Sequence, residues 1–318
     1  MRIFIIVSIL FFSAPLAYAQ SISSQLNDQE AIVLSPEFPF PGEEVTATLN
    51  NYSSFLSGAS IEWSVDGLVI PEANNFREVT FIAGEAGKEM KLQVTLKPDI
   101  GAARYVTTTI IPVYLDVIFE PQTHVPFFYE GRALPSIEST VNATALIDMG
   151  ELMNDDLVYH WRVNQTVLEQ GPIRGRNKVS FEVPRGKKST VYIQVSRPSG
   201  DILARRAMHL PSVYPEVYFY EENALYGPSN IALGSSLFLT TNSLTLLAEP
   251  YYVDSRVFNN PDLIEWKIDK TDTTSPSGNP YKITIQKTGD AAKSSVSFHI
   301  RSLEQILQGA GNNLTVTY

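Results

Sequence analysis

Val45-Thr46-Ala47-Thr48-Leu49 and Met90-Lys91-Leu92-Gln93-Val94-Thr95-Leu96 alternate apolar and polar residues with a period of two. A strand covered on one face has this pattern, because successive side chains point to opposite sides of a sheet. Ala31-Ile32-Val33-Leu34, Val79-Thr80-Phe81-Ile82 and the run from Tyr105 to Ile111 read as further strands. Pro36, Pro39 and Pro41-Gly42 make the first of them a kinked edge, where missing N–H donors are tolerated. Asp66-Gly67, the glycine-rich stretch from Gly84 to Gly87, and Pro98-Asp99-Ile100-Gly101 are turn signals between the runs. Short strands with no helical period describe a β-sandwich.

The pattern recurs. Trp63 lies in Ile61-Glu62-Trp63-Ser64-Val65-Asp66-Gly67, Trp161 in Val158-Tyr159-His160-Trp161-Arg162-Val163-Asn164, and Trp266 in Leu263-Ile264-Glu265-Trp266-Lys267-Ile268-Asp269; the chain has 3 tryptophans. Val113-Tyr114-Leu115-Asp116-Val117-Ile118-Phe119 is answered by Val213-Tyr214-Pro215-Glu216-Val217-Tyr218-Phe219. A second phrase, Phe128-Tyr129-Glu130-Gly131-Arg132-Ala133-Leu134, has its counterpart in Phe219-Tyr220-Glu221-Glu222-Asn223-Ala224-Leu225. These matches set domains at 30–112, 113–212 and 213–318, after a polar leader at 20–29. Only Pro112, or Pro211-Ser212, separates one unit from the next, which predicts a semi-rigid rod. The third unit alone departs from the plan. Ser302 and Gln305 have capping-box spacing and Gly309 suits a helix end, so one short helix is expected over 302–309, before a closing strand at 313–318. The expected fold class is all-β: three tandem immunoglobulin-like antiparallel sandwiches.

Composition narrows the setting. The 318 residues are 44% hydrophobic and 11% aromatic, enough for packed cores, and the net charge of −10 argues against non-specific binding to nucleic acid or an anionic membrane. With no cysteine, disulfides, Cys-ligated metals and thiol nucleophiles are excluded. A chain of this length without cysteine reads as bacterial. Met1-Arg2, the apolar run from Ile3 to Phe12 and Ala17-Tyr18-Ala19 have the layout of a signal peptide over residues 1–19, with cleavage before Gln20. The protein is then secreted or extracytoplasmic, in the cell envelope. If the segment is retained, it is the chain's one membrane contact, and the run is short for a span of roughly 20 residues.

Phe81 with its glycine turn, Leu92-Gln93-Val94-Thr95-Leu96, Gly101 and the Tyr105 strand resemble the bacterial Ig-like sandwiches of the polycystic-kidney-disease (PKD) type, and Gly200 after Val195 fits the same layout. That family's Trp-Asp-Phe-Gly-Asp-Gly phrase is reduced here to Trp63/Asp66, Trp161/Asn164 and Trp266/Asp269. The resemblance implies spacer, adhesion or protein-binding roles outside the cell and no shared ligand residues.

Candidate chemistry is sparse. Trp63, Trp161 and Trp266 are expected in the cores, each filling the gap between two sheets; an exposed sugar-stacking platform is the alternative. His124, His160, His209 and His299 show no metal-ligand spacing, and no Gly-x-Ser-x-Gly elbow or phosphate-cradling glycine loop occurs. No catalytic residue, cofactor or metal is expected. Asp148, Glu151, Asp155 and Asp156 share one loop and read as solvated acids, with a hard cation such as calcium as the alternative. Positive charge gathers in the second unit, at Arg162, Arg174, Arg176, Arg185, Lys187, Lys188, Arg205 and Arg206 among others. It is either a set of solvated strand edges or a docking face for an acidic partner. Tyr251, Tyr252 and Phe258, in the loop before Trp266, are either binding residues or a lid over the sandwich end. Two functions follow: an exported non-catalytic spacer and binding rod, as in a pilus or secretion-type surface assembly, or a polysaccharide-binding accessory module. A membrane-anchored rod with an uncleaved signal segment is a third. The partner is a protein or glycan at the cell surface, and not nucleic acid.

Overall fold

The computed structural model describes residues 31–50, 58–150, 156–275, 278–287 and 292–318. The expected signal peptide and leader lie outside them. The described chain folds into six sheets, paired into tandem Ig-like β-sandwiches.

In the first unit Ala31–Ser35, Glu44–Asn50 and Glu78–Ile82 form one sheet, and Leu68–Val69, Ser60–Val65, Met90–Lys97 and Arg104–Ile110 the other, each in that order. The period-two pattern sorts the side chains: Ala47 and Leu49 share one core with Leu92, Val94 and Leu96, all at most 2% exposed. The second unit repeats the plan with Tyr114–Pro121, Thr140–Asp148 and Lys178–Glu182 against a sheet centred on Val158–Val163, Lys188–Ser196 and Ile202–Pro211. The third pairs Gly227–Pro228, Glu216–Asn223, Ser243–Tyr251 and Lys282–Gln286 in one sheet. Its second sheet contains Leu263–Ile268, Lys293–Arg301 and Gly309–Thr317, and Ser236–Phe238 runs parallel to the last of these. In an immunoglobulin constant domain the fourth strand joins the sheet of the first two. Here the short strand after each Trp strand pairs with that strand itself.

One construction recurs around each tryptophan. Trp63, Trp161 and Trp266 are at most 2% exposed, and each indole N–H donates to a backbone carbonyl, of Phe76, Arg176 and Pro280, at 2.9–3.0 Å. The residue three places on, Asp66, Asn164 or Asp269, has φ near +50°, a conformation that Asp and Asn tolerate better than other side-chain-bearing residues. Its side-chain oxygen accepts the N–H of Lys91, Thr190 or Ser295 at 2.7–2.9 Å. Its own N–H donates to the carbonyl of that same residue. The repeated Trp and Asp/Asn therefore fill the core and lock the following turn onto the neighbouring strand.

Two expectations change. The α-helix among the described residues is Ser255–Asn259, capped by Asp254, whose side chain accepts the Arg256 N–H. Residues 302–308 form a turn instead. Ser302 Oγ does accept the Glu304 and Gln305 N–H groups, at 3.2 Å each, but Ser302 N–H bonds to the Gln308 carbonyl and Gly309 already pairs with Arg301. Ladder pairing closes the segment before a helical turn propagates, so the last strand starts at Gly309. The matching phrases at Phe128 and Phe219 also diverge: Phe219 lies in a strand, while Phe128–Leu134 is irregular. The reason is tertiary, because Val125, Phe128 and Tyr129 pack against the core of the third unit.

Candidate binding cleft at the joint of the second and third units

The loop after Tyr114–Pro121 reaches into the third unit as an added strand edge. Thr123 forms a β-bridge with Asp254. His124 N–H donates to Val253 O at 2.7 Å, and Tyr252 N–H donates to His124 O at 2.8 Å. Polar side chains hold the joint from within. Asp254 is fully buried and accepts the Thr140 N–H through Oδ2 at 2.8 Å and the Arg256 Nε–H through Oδ1 at 2.9 Å. Burial alone would raise its pKa; the Arg256 guanidinium and the Thr140 and Arg256 N–H groups outweigh that and hold the carboxyl below its usual range. Gln308, also fully buried, accepts the Asp254 N–H and donates to Ser136 Oγ and Ile137 O. Glu138 accepts from Arg185 on its own unit and from the Leu307 N–H across the joint.

This joint presents a cleft of about 620 Å³. Phe128, Tyr129 and Glu130 of the crossing loop line one side; Glu216, Tyr218, Tyr220, Asn230, Tyr251 and Tyr252 line the other. Tyr129, Tyr218 and Tyr252 stand around the Tyr251 ring with centroids at 5.3, 5.3 and 5.8 Å and interplanar angles of 88°, 86° and 66°. Their hydroxyls are paired, Tyr129 with Tyr252 at 3.0 Å and Tyr220 with Tyr251 at 2.6 Å, while Tyr218 donates to Glu216. Burial and the bond to Tyr129 push Tyr252 up to about 12, and burial with the bond to Tyr220 raises Tyr251 further. The bond to Glu216 raises Tyr218. All three stay protonated at neutral pH. The result is a wall of fixed aromatic rings with carboxylates and an amide but no Lys or Arg lining it, a surface that can stack on apolar ring faces and accept hydrogen bonds from hydroxyls.

Of the aromatic residues singled out in the sequence, Tyr251 and Tyr252 belong to this cleft, the first buried and the second half-buried. Phe258 does not. It lies between His124, stacked at 3.4 Å, and Tyr281, stacked at 4.7 Å, and its carbonyl accepts the Tyr281 hydroxyl. Tyr129, Tyr218, Tyr220 and Glu216 were visible in the sequence only as parts of the repeated phrases, which mark domain starts and say nothing of convergence.

The basic residues spread over the second unit, and five of them pair with carboxylates. Arg174 pairs with Asp156, Arg176 with Glu169, Arg185 with Glu138, Arg205 with Glu37 and Arg206 with Asp116, whereas Lys187 and Lys188 are exposed. Arg162 also pairs with no carboxylate among the described residues. Its guanidinium stacks on Tyr192 at 4.3 Å and its Nε is buried without a hydrogen-bond partner. In the acidic loop Glu151 and Asp155 lie outside the described residues, and Asp148 accepts the Gly150 N–H at 2.8 Å.

No family model and no curated protein matches this chain. Among solved structures it is similar to the three N-terminal domains of the bacteriophage RB49 outer capsid protein Hoc, at 13% identity, over 91% of this chain and 98% of that one, with a TM-score of 0.26. Immunoglobulin domains 1–5 of Sidekick-1 match at 11% identity over 92% of this chain and 60% of that one, TM-score 0.30. SGBP-B of the Bacteroides ovatus mixed-linkage glucan utilization locus, in complex with a mixed-linkage heptasaccharide, matches at 12% identity over 92% of this chain and 70% of that one, TM-score 0.21.

Proposed function

We propose that this chain is an exported, non-catalytic envelope or cell-surface protein, a rod of three sandwiches that binds its partner at the tyrosine cleft. The observation that carries the reading is the joint itself. Fully buried Asp254 and Gln308 tie the second and third units together, and the cleft walls come from both sides of that tie, so ligand geometry and rod geometry are set by the same contacts. A preformed site on a stiff spacer suits a protein that holds a partner at a distance, as in a pilus or secretion-type assembly. Export rests on the signal-type residues 1–19, and the retained-anchor form differs only in keeping them. Within the Ig-like class we read the units as PKD-type, on the glycine turn after Phe81 and the Trp with its following Asp or Asn.

The specific observation favouring a glycan as partner is the set of tyrosine rings packed edge-on around Tyr251, with Glu130, Glu216 and Asn230 among them. Fractionation of cells expressing the full chain should place it outside the cytoplasm with Gln20 as its first residue. A neutral-glycan array probed with that protein should give binding that Tyr129→Ala and Tyr218→Ala remove. Cytoplasmic retention overturns the export reading. Partner capture from envelope extracts that both substitutions leave intact overturns the cleft as the binding site.

A further inference from the structure

We infer that the ligand of the tyrosine cleft carries a positive charge, and that the glycan it takes is an amino sugar with a free ammonium group. The inference rests on the reading of this cleft as the binding site and names the chemistry of what fills it. Strand register puts acidic and aromatic side chains on one face. Glu216, Tyr218, Tyr220 and Glu222 alternate along Glu216–Asn223, and Glu249 and Tyr251 stand opposite Tyr218 and Glu216 on the neighbouring strand. Of these three carboxylates, two are answered by basic side chains: Lys282 bonds to Glu222, and His124 to Glu249 at 3.1 Å. Glu216, which lines the cleft, has only the neutral Tyr218 hydroxyl among the described residues. Glu130 lines the cleft from the crossing loop and, like Glu216, pairs with no cation among the described residues.

Two carboxylates on a wall of aromatic rings, with no Lys or Arg among the lining residues, make the cleft negative. The faces of aromatic rings attract a cation within about 6 Å, and carboxylates add charge-assisted hydrogen bonds from its N–H groups. A cage for a compact cation needs walls in more than one plane. Tyr129 and Tyr218 supply them, set at 88° and 86° to the Tyr251 ring. A neutral sugar would leave both carboxylates without an opposite charge. An amine on the sugar provides it, while the sugar ring still stacks on tyrosine. A lysine-bearing peptide is the other source of an ammonium group, and the backbone beside the cleft disfavours it. The carbonyls of Val217, Phe219 and Glu221 already accept from the Asn312 side chain and from the Leu233 and Ser229 N–H groups, so an extended peptide finds no free row of carbonyls along that edge.

The test is calorimetric titration of the full mature chain, at mildly acidic pH, with a β-1,4-linked glucosamine tetrasaccharide, its N-acetylated counterpart, and tetralysine as the peptide ammonium. The amino tetrasaccharide should bind about tenfold more tightly than the acetylated one. The double substitution Glu130→Gln and Glu216→Gln, which keeps a side-chain acceptor for the Tyr218 hydroxyl and removes the charge, should abolish most of that difference. Glu265→Gln, on the opposite sheet, should leave it unchanged. Tyr218→Ala should weaken both tetrasaccharides. Equal affinity for the two, both lost in Tyr218→Ala, would overturn the ammonium inference and leave the cleft as the glycan site. The inference also falls if the amino tetrasaccharide does not bind, if its advantage survives the double substitution, or if tetralysine binds more tightly through the same two carboxylates. Binding of both tetrasaccharides that Tyr218→Ala leaves intact would overturn the cleft itself, and the inference with it.

Discussion

Gln308 Nε2 of the third unit donates to Ser136 Oγ of the second at 2.9 Å, and both side chains are fully buried. A buried amide leaves no water to replace a lost partner, so this contact makes the joint sensitive to a single atom. Gln308→Ala strands the Asp254 N–H and the Ser136 hydroxyl, and should cost about 1–3 kcal/mol. Hydrogen exchange over residues 136–140 should rise in the variant, and small-angle scattering should show a broader distribution of interdomain distances. Unchanged exchange there would show that the joint does not rest on this residue.

Asp254 makes the joint acid-sensitive. Its pKa in the folded chain lies below the ordinary carboxylate value of about 3.9, so its contribution is present in full above that value and fades as pH falls through the lowered one. Thermal stability of the third unit should therefore drop more steeply below about pH 4 than in Asp254→Asn, which carries no titrating group there. Parallel curves for the two proteins would exclude the effect.

The tyrosine cleft should fail at the other end of the scale. Tyr252 is pushed up to about 12; a raised pKa means that its contribution is intact below the free tyrosine value of about 10 and lost as pH rises through the folded one. Ultraviolet titration should resolve a set of tyrosines that ionise late, together with loss of the folded signal. Tyr129→Phe removes the hydroxyl paired with Tyr252 and should lower the Tyr252 midpoint.

Trp161→Ala should cost about 3–5 kcal/mol by opening a cavity in the second core, and denaturant unfolding should show it in that unit first. Asn164→Ala should cost about 1–3 kcal/mol, because the Thr190 N–H loses its acceptor and a residue at φ +52° loses its tolerant side chain. A Trp161→Ala chain with unchanged thermal stability would contradict the packing described for all three units.

The all-β class, the strand alternation and the tryptophans as core residues were legible in the chain, because each is a local property. A period of two already says which side chains share a face, and a repeated Trp with Asp or Asn three places on says how often the unit recurs. The same locality misplaced the helix. The Ser302 and Gln305 spacing does produce side-chain-to-backbone bonds, but nothing in those residues reveals that Gly309 pairs with Arg301 and that Gln308 is drawn into the joint.

The binding surfaces depended on the tertiary structure for the same reason. Tyr218 and Tyr252 are brought together by the pairing of Glu216–Asn223 with Ser243–Tyr251, and Tyr129 joins them from the loop in which Thr123 pairs with Asp254 across two units. The basic residues of the second unit look alike as sequence, and only their neighbours distinguish the five that find carboxylates from the others, which pair with none among the described residues. Composition and period determine which residues are buried and which are exposed. Convergence and the pairing of charge depend on which distant residues the packed units bring into contact, and a period-two pattern carries no information about that.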